Sequence, residues 1–379
     1  MATMIDRQRI ATYGIATTAV ATIALALWLK PWASGPLIQK PTQADAHRVD
    51  IVFAVDTTGS MGGLLDGAKR TVWSIASHVR ELDKNADVHV GLVAYRDYGQ
   101  GDAYVTKDFA MTGDLDAVFA ELSTYQAAGG GDVPEDVDAA LDDAVHKMEW
   151  RDNAKKMIFL VGDAPPASRH EVPTFDVSAR DAAAKGIIIN TIRCGEAQDT
   201  AEAWHQIASI GMGEFSTIEQ NGGVQQIATP YDQKMAELSK TIDQTAVIYG
   251  DAATRGAYEG KMEVAHAAAP AAMADRAAYY GMAKGGGVRA KDDVVGSVAT
   301  GAVAVDSLDP SKLPEDMKDK SKDEIKADFD ARAKKRAAAQ TELQSMAKQR
   351  ADYLKAHEKE AGDGFDVKVK ATVDRELSK

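Results

Sequence analysis

Three acidic loops carry the residues of this chain that could do chemistry. Asp56, Thr58 and Ser60 form the pattern D-x-T-x-S at the end of the apolar run Val49 to Val55. Asp132 and Glu135 lie in Gly129-Gly130-Gly131-Asp132-Val133-Pro134-Glu135-Asp136, and Asp163 closes a second apolar run, Lys156 to Gly162, ahead of Ala164-Pro165-Pro166. One carboxylate and two hydroxyls at alternate positions are hard oxygen donors. Such donors suit Mg2+, which keeps several of its waters, and Mn2+ or Ca2+ also take oxygen ligands. Gly59, Gly62 and Gly63 let the backbone turn tightly, so the three side chains can point at one spot. The plainer reading is that a short Ser/Thr-rich loop only caps the helix behind it.

The runs that present these loops read as strands buried on both faces of a parallel sheet, because they are almost wholly apolar; six of the seven residues of the first run, Val49 to Val55, are apolar and mostly β-branched or aromatic. An amphipathic helix is expected from about Leu64 to Leu82, a strand over Asp87 to Tyr95 and an antiparallel edge strand near Tyr104 to Met111. A second helix starts at Gly113-Asp114-Leu115. A third runs from Pro134 to about Met148, with the proline at its first position, where a missing N–H costs nothing. A strand over 156–162, a helix around 172–185, a strand over Ile187 to Cys194, a helix over 200–209 and a short strand from Gly213 to Ile218 complete a doubly wound, mainly parallel α/β fold. Ligands of such sheets collect beyond the carboxyl ends of the strands, at the switch point of strand order. Asp56 and Asp163 each end a strand, so topology alone brings them to one edge.

The three motifs in this order, DTTGSM, GGGDxPE and GDAPP, resemble the von Willebrand factor A domain family, and in particular a bacterial, membrane-anchored branch of it; the likeness covers roughly residues 50 to 250. The resemblance implies a Rossmann-like fold and a metal-ion-dependent adhesion site, with Thr58 and Ser60 as hydroxyl ligands. Asp56 and Asp163 would bind the ion directly or through water. Many members place a threonine in the second loop, where this chain offers Asp132 and Glu135. A ligand from this pair would add negative charge, tightening the metal and weakening its pull on an acidic partner group. Glu135 could instead be a first-turn acid facing the dipole of the third helix. Asp97, in Tyr95-Arg96-Asp97-Tyr98, either supports the site from behind or forms a surface ion pair.

Other chemistry finds no footing. There is no G-x-S-x-G elbow, phosphate loop or H-E-x-x-H pair, and Gly285-Gly286-Gly287 follows no strand. The single cysteine, Cys194, reads as a buried inert thiol. His78 and His205 fall within expected helices. A net charge of -13 argues against nucleic acid as a partner, since affinity for it rests on lysines and arginines neutralising phosphates. The chain is expected not to be an enzyme.

Residues 10–29 carry no charge and match the roughly 20 residues that span a bilayer. A cleaved signal peptide is the rival reading, disfavoured by the length of the run, by Lys30 and by Trp28 and Trp32 at an interface position. The expected organisation is a membrane anchor over 1–30, a proline-bearing linker over 31–48, the α/β domain over 49–250 and an alanine-rich, charged helical region over 251–379. Arg7 and Arg9 would keep the short N-terminal tail in the cytoplasm, with the main domain outside the inner membrane. Helix is expected over 251–285, irregular chain over 285–312 and one or two amphipathic helices over about 322–360. Their few large apolar residues, among them Tyr279, Tyr280, Phe329 and Tyr353, should dock on the rest of the protein. From Pro310 onward acidic and basic residues nearly balance, so the excess acidity lies before it.

Two functions follow as expectations. One is a metal-dependent module that binds a protein partner, an Asp or Glu of the partner completing the metal shell. The other is an assembly component of a cell-envelope complex that acts through its C-terminal helices.

Overall fold

The computed structural model describes residues 47–98, 102–131, 133–167, 172–282, 290–357 and 363–378. Strands β1 (Arg48–Asp56), β2 (Asp87–Tyr95), β3 (Thr106–Thr112), β4 (Ala154–Gly162), β5 (Ile187–Cys194) and β6 (Met212–Ile218) form one sheet in the order β3-β2-β1-β4-β5-β6. Only β3 runs antiparallel, as an edge strand on β2. The order reverses at β1, whose Val55 pairs with Ala94 of β2 on one side and Val161 of β4 on the other. The switch point therefore lies where Asp56 and Asp163 emerge.

Alternate residues of β1 feed two cores, as a strand covered on both faces requires. Ile51, Phe53 and Val55 join the core under helices α1 (Gly62–Leu82) and α2 (Leu115–Thr124), where Phe53 stacks on Phe159 with ring centroids 5.5 Å apart. Val52 and Ala54 join the core under α3 (Val137–Asp142), α4 (Phe175–Ala184) and α5 (Gln198–Ile210), built around Trp204.

The third helix departs from expectation. Pro134 and Glu135 stay extended because their backbone is spent on the third loop: the Glu135 N–H donates to the Pro165 carbonyl at 3.0 Å and its carbonyl accepts from Ala167 at 2.8 Å. The helix starts only after Asp136, which caps it by accepting from the Ala139 N–H at 3.1 Å, and ends in a π-helical turn over Asp143–Lys147. Pro134 is therefore not its first residue.

Beyond β6 come α6 (Asp232–Asp243), α7 (Ala252–Ala267), α8 (Pro270–Met282), α9 (Val294–Ala299), α10 (Lys322–Ala356) and α11 (Phe365–Leu377). The stretch expected to be irregular contains α9, whose Val294 and Val295 are buried with Phe329 of α10. Helix α8 packs on α1 and α6, α10 on α6, α8 and α9, and α11 on α1 and the sheet. Two buried arginines stitch these layers. Arg276 of α8 pairs with Asp116 of α2 and Asp243 of α6, each at 2.7 Å, and Arg350 of α10 pairs with Asp232 and Asp275, also at 2.7 Å. Among the described residues no helix is long and apolar enough to cross a membrane, and residues 10–29 lie outside them.

Candidate functional site

Asp56 is fully buried at the end of β1. Its Oδ1 accepts the Thr58 N–H at 2.8 Å and the Thr58 hydroxyl at 2.7 Å, and the Thr58 Oγ1 lies 3.3 Å from the Ser60 Oγ. Ser60 is exposed at the start of the following helical turn, so the first loop runs from a buried carboxylate to a hydroxyl open to solvent. Thr57 anchors the loop from behind, its N–H and hydroxyl both donating to the Tyr95 carbonyl of β2. Thr58, the residue before the helical turn, makes no side-chain cap bond to it, so capping does not account for the pattern.

The second loop lies against the first: Gly59 donates to the Gly129 carbonyl at 3.2 Å and Ala128 to the Thr57 carbonyl at 3.1 Å. Glycine is required at 130, where φ is 75° and a Cβ would sit 2.8 Å from Glu135 Oε1 and 2.9 Å from Thr58 Cβ. That contact places the Glu135 carboxylate beside Thr58. Glu135 thus precedes the helix and turns into the loop cluster instead of facing the helix dipole. Asp163 follows β4, its carbonyl accepting from the Thr200 hydroxyl at 3.0 Å and its Oδ2 from the Gln220 amide at 2.5 Å. Beside Gln220 opens a groove of about 510 Å³ lined by Glu196, Thr217, Glu219, Gln225 and Asp363 among others.

This edge gathers negative charge out of water. Burial pushes the Asp56 carboxyl up to about 7, the Thr58 bonds pulling it down and the nearby Asp163 charge raising it further. Burial pushes Glu135 up to about 9, with Asp56, Asp97, Asp163 and Asp102 adding to the rise. Asp56 Oδ2 and Glu135 Oε2 are buried without a hydrogen-bond partner. Orphaned acceptors among like charges are costly unless a cation meets them, and the hydroxyls beside them are the oxygen donors a hard divalent ion takes. The residues present therefore fit such an ion. Among the described residues no group of three or more His, Cys, Asp or Glu is placed to hold a metal.

Of the residues singled out in the sequence, Asp56, Thr58, Ser60, Glu135 and Asp163 converge, while Asp132 lies outside the described residues. Asp97 is fully buried and is no surface ion pair. Cys194 is a buried free thiol, and burial raises it well above the usual range. Sequence reasoning missed Gln220, Arg96 and Asp102. Position was the available signal for Gln220, which follows the carboxyl end of β6; Arg96 and Asp102 lie beyond the carboxyl end of β2.

Residues 50–230 match the family described as von Willebrand factor A domain. Among curated proteins the chain is similar to alpha-protein kinase vwkA of Dictyostelium discoideum, 27% identical over 117 residues that cover 31% of this chain and 18% of the relative. It is also similar to human von Willebrand factor A domain-containing protein 7, 35% identical over 118 residues that cover 30% of this chain and 12% of that one. The chain thus spans less than a fifth of the length of these curated relatives. Among solved structures, the conserved hypothetical protein BatB from Bacteroides thetaiotaomicron is similar at 15% identity and a TM-score of 0.34, covering 57% of this chain and 98% of that one.

Proposed function

Residues 50–230 form a von Willebrand factor A domain, and from that premise we propose that the chain is a protein-binding module whose contact with its partner depends on a divalent ion. Asp56, Thr58, Ser60 and Asp163 would hold the ion, with Glu135 beside them and Asp132 as a further second-loop donor. Mg2+ suits the donor set best, and Mn2+ or Ca2+ are the alternatives. When bound, the ion supplies an open coordination position for an Asp or Glu of the partner. The chain's own part is to keep Asp56 dry and in place, to aim the Thr58 hydroxyl through its bond to Asp56, and to present Ser60 to solvent. The groove beside Gln220 leaves room for the rest of a bound segment.

The single observation that carries this reading is the orphaned, buried Asp56 Oδ2 beside hydroxyl donors and further acids. Among the described residues no nucleophile with its base accompanies the cluster, which favours binding over catalysis. Assembly through the C-terminal helices has less support, because their large apolar residues, Tyr279, Tyr280, Phe329 and Leu343, are buried inside this chain. Membrane anchorage through residues 10–29, with the domain outside the inner membrane, belongs to the same proposal and rests on the uncharged length of that segment. Carbonate washing tests it: the full chain should stay with the membrane, and a mature protein starting near residue 47 would show a cleaved signal.

Calorimetry tests the site. Mg2+ should bind the chain from residue 47 onward with one-site stoichiometry, and Asp56→Ala or Ser60→Ala should abolish the heat. Unchanged binding in both variants would remove the site.

A further inference from the structure

The second loop has to lie against Thr58 with two successive residues in the left-handed region, Gly129 at φ 76° and Gly130 at φ 75°. Two glycines reach that shape freely but do not hold it, because their backbone has the most freedom to lose. Two side chains from beyond the carboxyl end of β2 supply the hold. Arg96 is 7% exposed. Its Nε donates to Thr57 Oγ1 at 3.3 Å and its Nη2 to the Gln126 carbonyl at 2.8 Å, while Nη1 lies 3.6 Å from Asp102 Oδ1. The guanidinium carbon sits 4.6 Å from the centre of the Tyr104 ring, which limits its movement. Asp102 accepts the Gly130 N–H at 3.2 Å and occupies the space that a Cβ at Gly129 would need. The Arg96 carbonyl accepts the Asp136 N–H at 3.1 Å, tying in the far end of the same loop.

One buried cation therefore touches the first loop, the approach to the glycines and the carboxylate beneath them. We propose that Arg96 and Asp102 are positioning residues, a latch that sets the glycine loop against Thr58 before any ion arrives; its purpose, though not its existence, rests on the metal-binding reading above. The planar fork matters more than the charge. A lysine offers one compact ammonium and cannot meet Thr57, Gln126 and Asp102 together.

Hydrogen exchange of the full chain in EDTA tests the latch without metal. Arg96→Lys and Asp102→Ala should each speed exchange of the Gly130 amide at least about tenfold, while the amides of β4 and β5 keep their protection. In calorimetry the Mg2+ Kd should rise about ten- to a hundredfold, the usual result of removing groups that orient metal ligands. Gly130 exchange at the parent rate in both variants overturns the latch. Faster exchange with an unchanged Kd overturns the positioning role. A parent chain that binds no Mg2+ sinks the metal reading alone, because the exchange result still decides the latch. Should Arg96→Lys lose protection in β4 and β5, it has unfolded and Asp102→Ala decides.

Discussion

Asp56 is held by one oxygen and left exposed to repulsion at the other: Oδ1 takes two bonds from Thr58, while Oδ2 is buried with no partner and Asp163 and Glu135 stand nearby. Such a carboxylate stabilises the fold only when a cation is present, so function and metal-free stability should pull apart at this residue. Asp56→Asn removes one charge from the cluster and keeps an acceptor for Thr58. In EDTA it should therefore melt at or above the parent temperature, and Mg2+ should no longer raise it. For the parent, Mg2+ at about 100 times Kd should stabilise by roughly 2.7 kcal/mol. A variant that melts lower in EDTA and still responds to Mg2+ would show that Asp56 only braces the loop. At this scale much of the site was legible. Asp56 and Asp163 stand where strands end, and Thr58, Ser60 and Glu135 are oxygen donors in the adjoining loops. Arg96, Asp102 and Gln220 were not legible, because what they do depends on which loops lie beside them in space.

Elements whose own pattern is strong were readable to within a residue or two, as with β1, β2, β5 and α1; elements decided by distant contacts were not. Pro134 has every local reason to open a helix, but its neighbour Glu135 pairs with the third loop instead. Helix α11 is the clearer case. Phe-Asp-Val-Lys-Val-Lys alternates like a strand, yet Phe365, Val369 and Val373 fall on one helical face that fills the core against α1 and the sheet. The helix starts where Phe365 donates to the Gly222 carbonyl at 2.9 Å, with Gly223 and Gly364 crossing so closely that a Cβ on Gly364 would meet the Gly223 backbone. Phe365→Ala should cost about 3–5 kcal/mol in urea unfolding, the usual loss for a buried phenylalanine. The same packing has a pH dependence. The Nε2–H of His78 on α1 donates to Asp374 Oδ1 of α11 at 2.7 Å. Its pKa is raised above the ordinary 6.5, first by Glu81 and then by Asp374, against burial and the Lys370 charge. A raised histidine contributes its full stability below its unfolded value and loses it as pH rises through the folded value. The melting temperature should then fall between about pH 6 and pH 8. His78→Gln should make that fall shallower, the raised Asp56 and Glu135 carboxyls contributing the rest of it, and an unchanged slope would remove His78 from the account.

Across the whole molecule, the family match ends at residue 230 while the packing does not. Helices α8 and α11 both lie on α1, the helix that follows the Asp56–Ser60 loop, and Arg276 reaches from α8 to acids on α2 and α6. The docking itself was legible in the few large residues of an alanine-rich region, of which Tyr279, Tyr280 and Phe329 are buried; the two buried arginines were not, because their acidic partners lie far away in the sequence. A chain truncated after Gly250 keeps every candidate metal ligand but should not keep the fold. It loses Arg276 from Asp116 and Asp243, and Arg350 from Asp232, and breaking a buried pair costs about 3–5 kcal/mol. It also uncovers the faces of α1 that α8 and α11 bury. Against a total stability of roughly 5–15 kcal/mol for a folded domain, two such losses leave little or nothing. Saturating Mg2+ cannot make this good, since at about 100 times Kd it returns roughly 2.7 kcal/mol. Circular dichroism should accordingly show a cooperative melt for the full chain and none for the truncated one, with or without Mg2+. Adding the separate 251–379 segment should restore part of the transition, because both partners of each buried pair are then present and can fold on each other. A truncated chain that melts within a few degrees of the full protein would mean instead that the C-terminal helices are an appendage to a domain already stable by itself.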